Sequence, residues 1–389
     1  MAVNAMTFEQ SAALLAELHL QATGQRAPAN INSGNFTSVA NVTLSAGYDK
    51  VLNAIGVVLS RTIFGVRSYR RKFGGIQVDN AKYGAIVRKI NFVDKDPRDS
   101  VVYDLVDGAS IDPWIVCKPD VLQLNFYGSN IHQRCVTIMQ VQLDQAFRSS
   151  EELGSFWTSL MTHVYNMIEQ DREEAARTAV ANFITGKIAA NNGVIHLLTE
   201  YNNATGLSLT ATTVYQPANF EAFVRWLFAR VNTLSKQLEE RSSLFHINVT
   251  GKEIQRHTPQ ENQRIFILDP FKDQMEAEVL ATTYHDNYLT RAYSETVTYW
   301  QGIQNPGQVI ATPTYLATDG TLTTANAPVS QSNVLGLIVD EEALGLTVID
   351  ETVASSPLNP RGLYYTQWFS YNMRYWNDFS ENGIVLLLD

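Results

Sequence analysis

Apolar positions recur at two spacings along this 389-residue chain, and each change of spacing predicts a change of element. Residues 5–23 alternate apolar and polar at helical spacing, with Thr7 and Gln10 placed as a capping box and Gly24 as the stop. From Gln25 to Thr43 the sequence is rich in Asn, Ser, Ala and Gly with little periodicity, which predicts an extended arm without a core of its own. A short helix over Tyr48–Ser60 reads from Leu52, Ile55, Val58 and Leu59. Two long strand candidates follow, Lys82–Val93 and Trp114–Tyr127, on either side of a polar connector containing Pro97, Asp107, Gly108 and Pro113. They predict an extended hairpin, basic at its start and with few large apolar residues at its tip. Such a ribbon is not stable alone and needs a neighbour to lie on.

A third strand is predicted over Gln133–Leu143, and Ser149 with Glu152 then opens the longest regular element, a helix from about Glu151 to Ala190 stopped by Asn191, Asn192 and Gly193. At ~1.5 Å per residue it spans on the order of 60 Å. Trp157, Leu160, Val164, Met167, Ile168, Ala175, Ala179, Phe183 and Ile188 form its apolar stripe, and Glu169, Arg172, Glu173 and Arg177 its expected wet face. A hairpin region to Thr213 precedes a helix from Pro217 to about Arg241. Strands are predicted over Leu244–Val249 and Arg264–Leu268, then a helix starting at Asp269 with Pro270 in its first position. Residues 302–332 read as loop with short strands, before strands over Val334–Asp340 and Thr347–Ile349.

The last twenty-nine residues are the most patterned. Read at period two, Leu363, Tyr365, Phe369, Tyr371, Met373 and Tyr375 make a core side, and Tyr364, Thr366, Trp368, Ser370, Asn372, Arg374 and Trp376 a mixed side. A turn rich in Asn and Asp leads to the aliphatic return strand Ile384–Leu388, which has no polar side. A surface aromatic on both sides faces either a second layer or another subunit. The order of elements is α+β, without βαβ alternation, heptads or long repeats.

The net charge is −10, yet Arg61–Arg98 holds ten Lys or Arg against three Asp, so the rest of the chain carries −17. That balance excludes a basic, sequence-reading nucleic-acid binder and leaves one local cationic strip. Arg67, Arg70, Arg71 and Lys72, interleaved with Tyr69 and Phe73, are its densest part, and pairing with the acidic surface of a neighbouring copy is the favoured role. Cys117 and Cys135 sit in apolar, strand-like contexts and are expected to be buried thiols. The seven histidines are scattered, there is no phosphate loop or nucleophile elbow, and Asp340, Glu341 and Glu342 read as a solvated turn. No metal, cofactor or catalysis is expected. With no membrane-length apolar stretch and no basic-then-apolar leader, a soluble protein made in the cytoplasm is expected.

Three stretches carry a family resemblance: Tyr83 to Ile90 (YGAIVRKI), Leu143 to Phe147 (LDQAF), and Arg361-Gly362 with Arg374 to Gly383 (RYWNDFSENG). With the order of parts, they resemble the major capsid protein of tailed bacteriophages, the Hong Kong 97 type fold also used by encapsulins. The resemblance implies an N-terminal helix and arm (1–65), an extended-loop region lying over an adjacent subunit (66–130), a peripheral domain with the spine helix (131–204), an axial domain (205–332) and peripheral return strands (333–389). It implies a homo-oligomeric icosahedral shell of hexamers and pentamers in the virion, with a separate scaffolding protein, a portal protein and packaged double-stranded DNA as partners. Inter-subunit contacts are expected at Arg67, Arg70, Arg71, Lys72, Arg88, Lys89, Lys95, Trp114, Trp368 and Trp376. An encapsulin-type compartment and a cytoplasmic enzyme are the alternatives.

Overall fold

The computed structural model describes residues 7–28, 30–47, 49–51, 54–55, 73, 76, 86–93, 95, 100, 106–108, 110–111, 114, 116–127, 130–275 and 294–389. In chain order the first elements are α1 (Phe8–Thr23), α2 (Phe36–Ser45), β1 (Ile86–Phe92), β2 (Val121–Tyr127), β3 (Asn130–Met139), α3 (Gln140–Ala146) and α4 (Ser150–Ala189). There follow β4 (Val194–His196), α5 (Leu197–Thr205), α6 (Pro217–Glu239), β5 (Gln263–Leu268), α7 (Asp269–Met275) and β6 (Ser294–Val297). The chain ends with β7 (Val309–Ala311), β8 (Thr314–Leu316), β9 (Leu322–Thr324), β10 (Val329–Gln331), β11 (Val334–Asp340), β12 (Leu344–Ser355), β13 (Tyr364–Asn377) and β14 (Gly383–Leu387). It is a mixed helix-and-sheet protein whose chain divides into two compact units.

The first unit takes Met1–Tyr83, Gly128–Ala175 and Leu346–Arg374. Its sheet has the order β12-β13-β3, with β13 antiparallel to β3 in the register Tyr364↔Met139 to Met373↔Asn130. Its core joins Leu15 and Leu18 of α1, Phe36, Val39 and Ala40 of α2, Trp157 and Leu160 of α4, and Tyr365 and Phe369 of β13. The predicted extended arm is therefore corrected over its second half. Phe36, Val39, Ala40 and Thr43 stand at i, i+3, i+4 and i+7, so an amphipathic turn buries them although the composition is polar. The His19 ring also meets the Thr43 hydroxyl at 2.9 Å. The third predicted strand ends four residues early: at Met139 the backbone N–H donates to Gln142 Oε1 at 3.2 Å and the chain turns into α3.

The long helix α4 matches its predicted span to within a residue at each end and opens with Glu152 N–H donating to Ser149 Oγ at 3.2 Å. Its expected wet face is not wet. Glu169 and Glu173 are buried; Arg172 pairs with Glu169 at 2.7 Å and also with Glu351. Within this unit, Asp171 holds Arg134 of β3 and Tyr371 of β13 together. Burial opposes the Asp171 charge, but these donors keep its carboxyl below the usual range, while burial and the carboxylate push the Tyr371 phenol up to about 12.

The second unit takes Gly84–Tyr127, Ala176–Gly345 and Tyr375–Asp389. Its five-stranded sheet has the order β4-β14-β11-β5-β6, antiparallel at β14-β11-β5 and parallel at both edges. Every residue of β11 and β14 is buried, as a continuous aliphatic run predicts for a central strand. The return strand thus pairs with β11 and β4, while β13 pairs with β12 and β3. Phe220, Phe223, Val224 and Leu227 of α6 cover the sheet with Leu197, Leu198 and Tyr201 of α5. That short helix replaces part of the hairpin region expected there, and residues 244–249 form no strand.

The alternation along β13 is as predicted from Tyr365 to Met373 and then slips: Arg374 is buried and Tyr375 exposed. The slip falls where the chain passes from the first unit into the second. No described helix is long and apolar enough to cross a membrane.

Candidate assembly interface and its ionic anchor

The hairpin predicted from residues 82–127 is present as β1 and β2, antiparallel from Ile86↔Tyr127 to Phe92↔Val121. Period-two geometry divides it into two faces. Lys89, Asn91, Leu122, Leu124 and Phe126 are buried or half-buried, whereas Arg88, Ile90, Phe92, Val121, Gln123 and Asn125 are exposed. The register places Lys89 opposite Leu124 and Asn91 opposite Leu122, so the inner face is continuous across both strands.

Lys89 is the one charge on that inner face, and it finds three carboxylates of its own unit. Its Nζ lies 2.8 Å from Glu342 Oε2, 3.2 Å from Asp378 Oδ2 and in close contact with Glu381 Oε1. Arg256 completes the cluster from the far side, with Nη2 at 3.0 Å from Glu381 Oε1 and Nε donating to the Ser380 carbonyl at 3.1 Å. The acids are held rigidly. Asp378 Oδ1 accepts from Ser380 N–H at 2.9 Å and from its hydroxyl at 2.6 Å, and Asp340 Oδ1 accepts from Glu342 N–H at 2.9 Å. Burial works against the Lys89 charge, but Asp378, Glu381 and Glu342 hold its pKa above the ordinary lysine value. Burial pushes Glu381 up to about 7 despite both cations, and Lys89 draws the more exposed Glu342 down. The expectation of a solvated turn over Asp340–Glu342 is corrected at Asp340 alone, which is buried and accepts from the Thr258 hydroxyl at 2.7 Å, whereas Glu341 and Glu342 are exposed.

Beside the cluster runs a groove of about 640 Å³ lined by Ile90, Phe92, Arg241, Ile254 and His257 among others. Farther along the inner face, Phe126 meets Trp376 with ring centroids 6.4 Å apart, and Trp376 packs where a Cβ on Gly345 would fall 2.0 Å from its ring. Sequence reasoning missed Asp378, Glu381, Glu342 and Arg256 as partners of Lys89. The signal was there in part: Asp378, Ser380 and Glu381 lie in the C-terminal stretch that carried the resemblance.

The other expected contact residues are spread out. Arg67, Arg70, Arg71 and Lys72 lie outside the described residues. Arg88 is exposed on the outer face, and Lys95 pairs with Asp120 at 3.2 Å while donating to the Lys118 carbonyl at 2.7 Å. Trp114 is 84% exposed and Trp368 40% exposed. The hairpin's distal part is more apolar than predicted, since Val106, Ile111 and Val116 are exposed as well. Both cysteines are exposed instead of buried: Cys135 sits in the half of β3 that is open on both faces, and Cys117 in the irregular lead into β2. Among the described residues no His, Cys, Asp and Glu cluster could hold a metal ion.

The ribbon is thus anchored on its inner face, and its outer face exposes Ile90, Phe92 and Val121 together with Arg88, Gln123 and Asn125. Over residues 16–387 the chain matches the family model of the Phi29-like phage major capsid protein. Its fold is similar to a chain in the capsid structure of Staphylococcus phage Andhra, with TM-score 0.54 and 10% identity over 84% of this chain and 87% of that one. A chain in the structure of the head fiber and inner core protein gp22 of native bacteriophage P68 is similar too, with TM-score 0.53 and 9% identity over the same shares, 84% and 87%. No curated protein matches the chain. The chain therefore belongs to the Phi29-like phage major capsid protein family, and is a structural subunit of a tailed phage head.

Proposed function

We propose that the subunit builds its shell in the Hong Kong 97 manner, as hexamers and pentamers in which the hairpin of each copy lies over an adjacent one. The observation that carries this is the outer face and distal part of the hairpin, where Phe92 is 66% and Trp114 84% exposed beside Ile90, Val106 and Val116. Large apolar side chains gathered on one protrusion mark an interaction surface, and head-to-tail contacts close into rings. In this arrangement residues 131–204 and 333–389 serve as the peripheral domain and residues 205–332 as the axial domain. The shell encloses double-stranded DNA in the virion, contacts it without reading sequence, as the acidic balance suits, and takes a separate scaffolding protein and a portal protein as partners. Its role is structural, without turnover.

Electron microscopy of the purified full chain, with sedimentation of the same sample, tests the proposal. Closed particles with six-fold and five-fold capsomers are the expected result. A chain that stays monomeric at every concentration, with and without co-expressed scaffolding protein, would overturn it.

A further inference from the structure

We propose that Lys89 is a positioning residue: it locks the base of the hairpin to its own subunit and so sets the direction in which the hairpin leaves, rather than contacting the neighbour itself. The inference rests on the proposed function for the consequence of that direction, though not for the lock.

Four observations converge on it. Lys89 faces inward, opposite Leu124, while its chain neighbours Arg88 and Ile90 face out. Its three carboxylates come from two turns at the ends of sheet strands, Glu342 after β11 and Asp378 with Glu381 before β14. Those turns are themselves pinned, by the Ser380 bonds to Asp378, by Arg256 on Glu381 and by Asp340 on the Glu342 backbone. The other inner-face residues of the ribbon are Asn91 and the apolar Leu122, Leu124 and Phe126, and apolar contact is non-directional, so a ribbon held by apolar contact alone could pivot. An ammonium fixed among three acids in a partly dry site cannot shift by an ångström without losing one of them. A small error in angle at the base becomes a larger displacement farther out along the loop, where Trp114 stands ten residues before Leu124, the partner of Lys89.

The test uses the full chain below its assembly concentration and again under assembly conditions, with Lys89→Met, Lys89→Arg and Glu342→Gln. Glu342 is 67% exposed in its side chain, so its amide variant loosens the anchor without leaving a buried charge unpaired, and it decides the question if Lys89→Met fails to fold. Hydrogen exchange of residues 86–92 and 121–127 is expected to become about tenfold faster in Lys89→Met and Glu342→Gln, while α6 exchanges as before. Closed particles are expected to give way to irregular aggregates or free subunits, and Lys89→Arg is expected to restore both readouts. Unchanged exchange in the hairpin would overturn the lock. Lost assembly with unchanged exchange would make Lys89 a contact to the neighbour, which also overturns the proposal. If wild-type chains form no particles, the proposed function fails, and the exchange data still judge the lock.

Discussion

Lys187, near the end of α4, is fully buried, and replacing it by methionine should change the pH dependence of stability more than stability itself. Its ammonium donates to the Phe245 carbonyl at 2.7 Å and to Asn192 Oδ1 at 2.9 Å, and lies 5.6 Å from the centre of the Phe183 ring. Burial lowers its pKa to about 7, offset in part by the charge of Asp378. A lysine whose native pKa lies below its unfolded value binds fewer protons when folded, so stability rises with pH between the two values. At 1.36 kcal/mol per unit, the full span from 7 to 10.5 is worth at most about 5 kcal/mol, and the part between pH 7 and 9 about 2 kcal/mol. Methionine removes this dependence and leaves two acceptors without their donor, each a loss of about 1–3 kcal/mol. At pH 6 the wild type carries the cost of a buried charge that roughly offsets those losses. The variant should therefore be nearly as stable as wild type at pH 6 and about 2 kcal/mol less stable relative to it at pH 9 than at pH 7. Urea unfolding of unassembled wild type and variant at each pH measures this, because titrating groups that do not interact with Lys187 cancel in the difference. A difference that stays flat from pH 6 to 9 would refute the reasoning, since the amine would then be charged throughout.

Two further outcomes are expected. Gly193→Ala should destabilise the second unit by roughly 2 kcal/mol or more, because φ is +67° and the new Cβ would fall 2.3 Å from the Gly383 carbonyl where β4 meets β14; an unchanged urea midpoint would contradict that close approach. Glu381, raised by burial to about 7, contributes stability that is full below its unfolded value near 4.5 and is lost as pH rises through 7, so Glu381→Gln should flatten the pH profile across that window, as paired unfolding curves at pH 5 and 8 would show.

How much of this was legible depended on the range of the interaction that decided each feature. The helix α4, the helix from Pro217 and the start at Asp269 were readable because their caps and apolar stripes are local. The second helix, Phe36–Ser45, was missed although its four buried positions keep helical spacing, because Asn, Ser and Thr masked the stripe. Glu169 and Glu173 were placed in water because charge pattern alone does not reveal the backbone N–H of Phe73 that reaches the Glu173 carboxylate at 3.5 Å. The strand Gly383–Leu387 was read correctly as doubly buried, but adjacency in sequence does not say that its partners are Val334–Asp340 and Val194–His196. The anchor is the extreme case: Lys89 and its nearest acid in sequence, Glu342, are separated by two-thirds of the chain.

That separation also bears on the part of the cationic strip that lies in the hairpin. Pairing with the acidic surface of a neighbouring copy was the favoured role of Arg67, Arg70, Arg71 and Lys72, which lie outside the described residues; farther along, Lys89 is neutralised by three acids of its own chain and Lys95 by Asp120 within the hairpin. Arg88 remains directed outward. The Lys95 pair is largely solvated and contributes little to stability, whereas the Lys89 cluster is enclosed, with Asp378 and Glu381 nearly inaccessible. The charges of Lys89 and Lys95 are thus paired within the subunit. The exposed apolar side chains of the hairpin are Ile90, Phe92 and Val121 on the outer face, which also carries Arg88, Gln123 and Asn125, and Val106, Ile111, Trp114 and Val116 farther along. Phe36, Val39 and Ala40 of the N-terminal segment are by contrast buried in their own unit. Apolar contact supplies adhesion without direction, and the ionic base supplies direction without contact; a shell of identical subunits needs both at every junction.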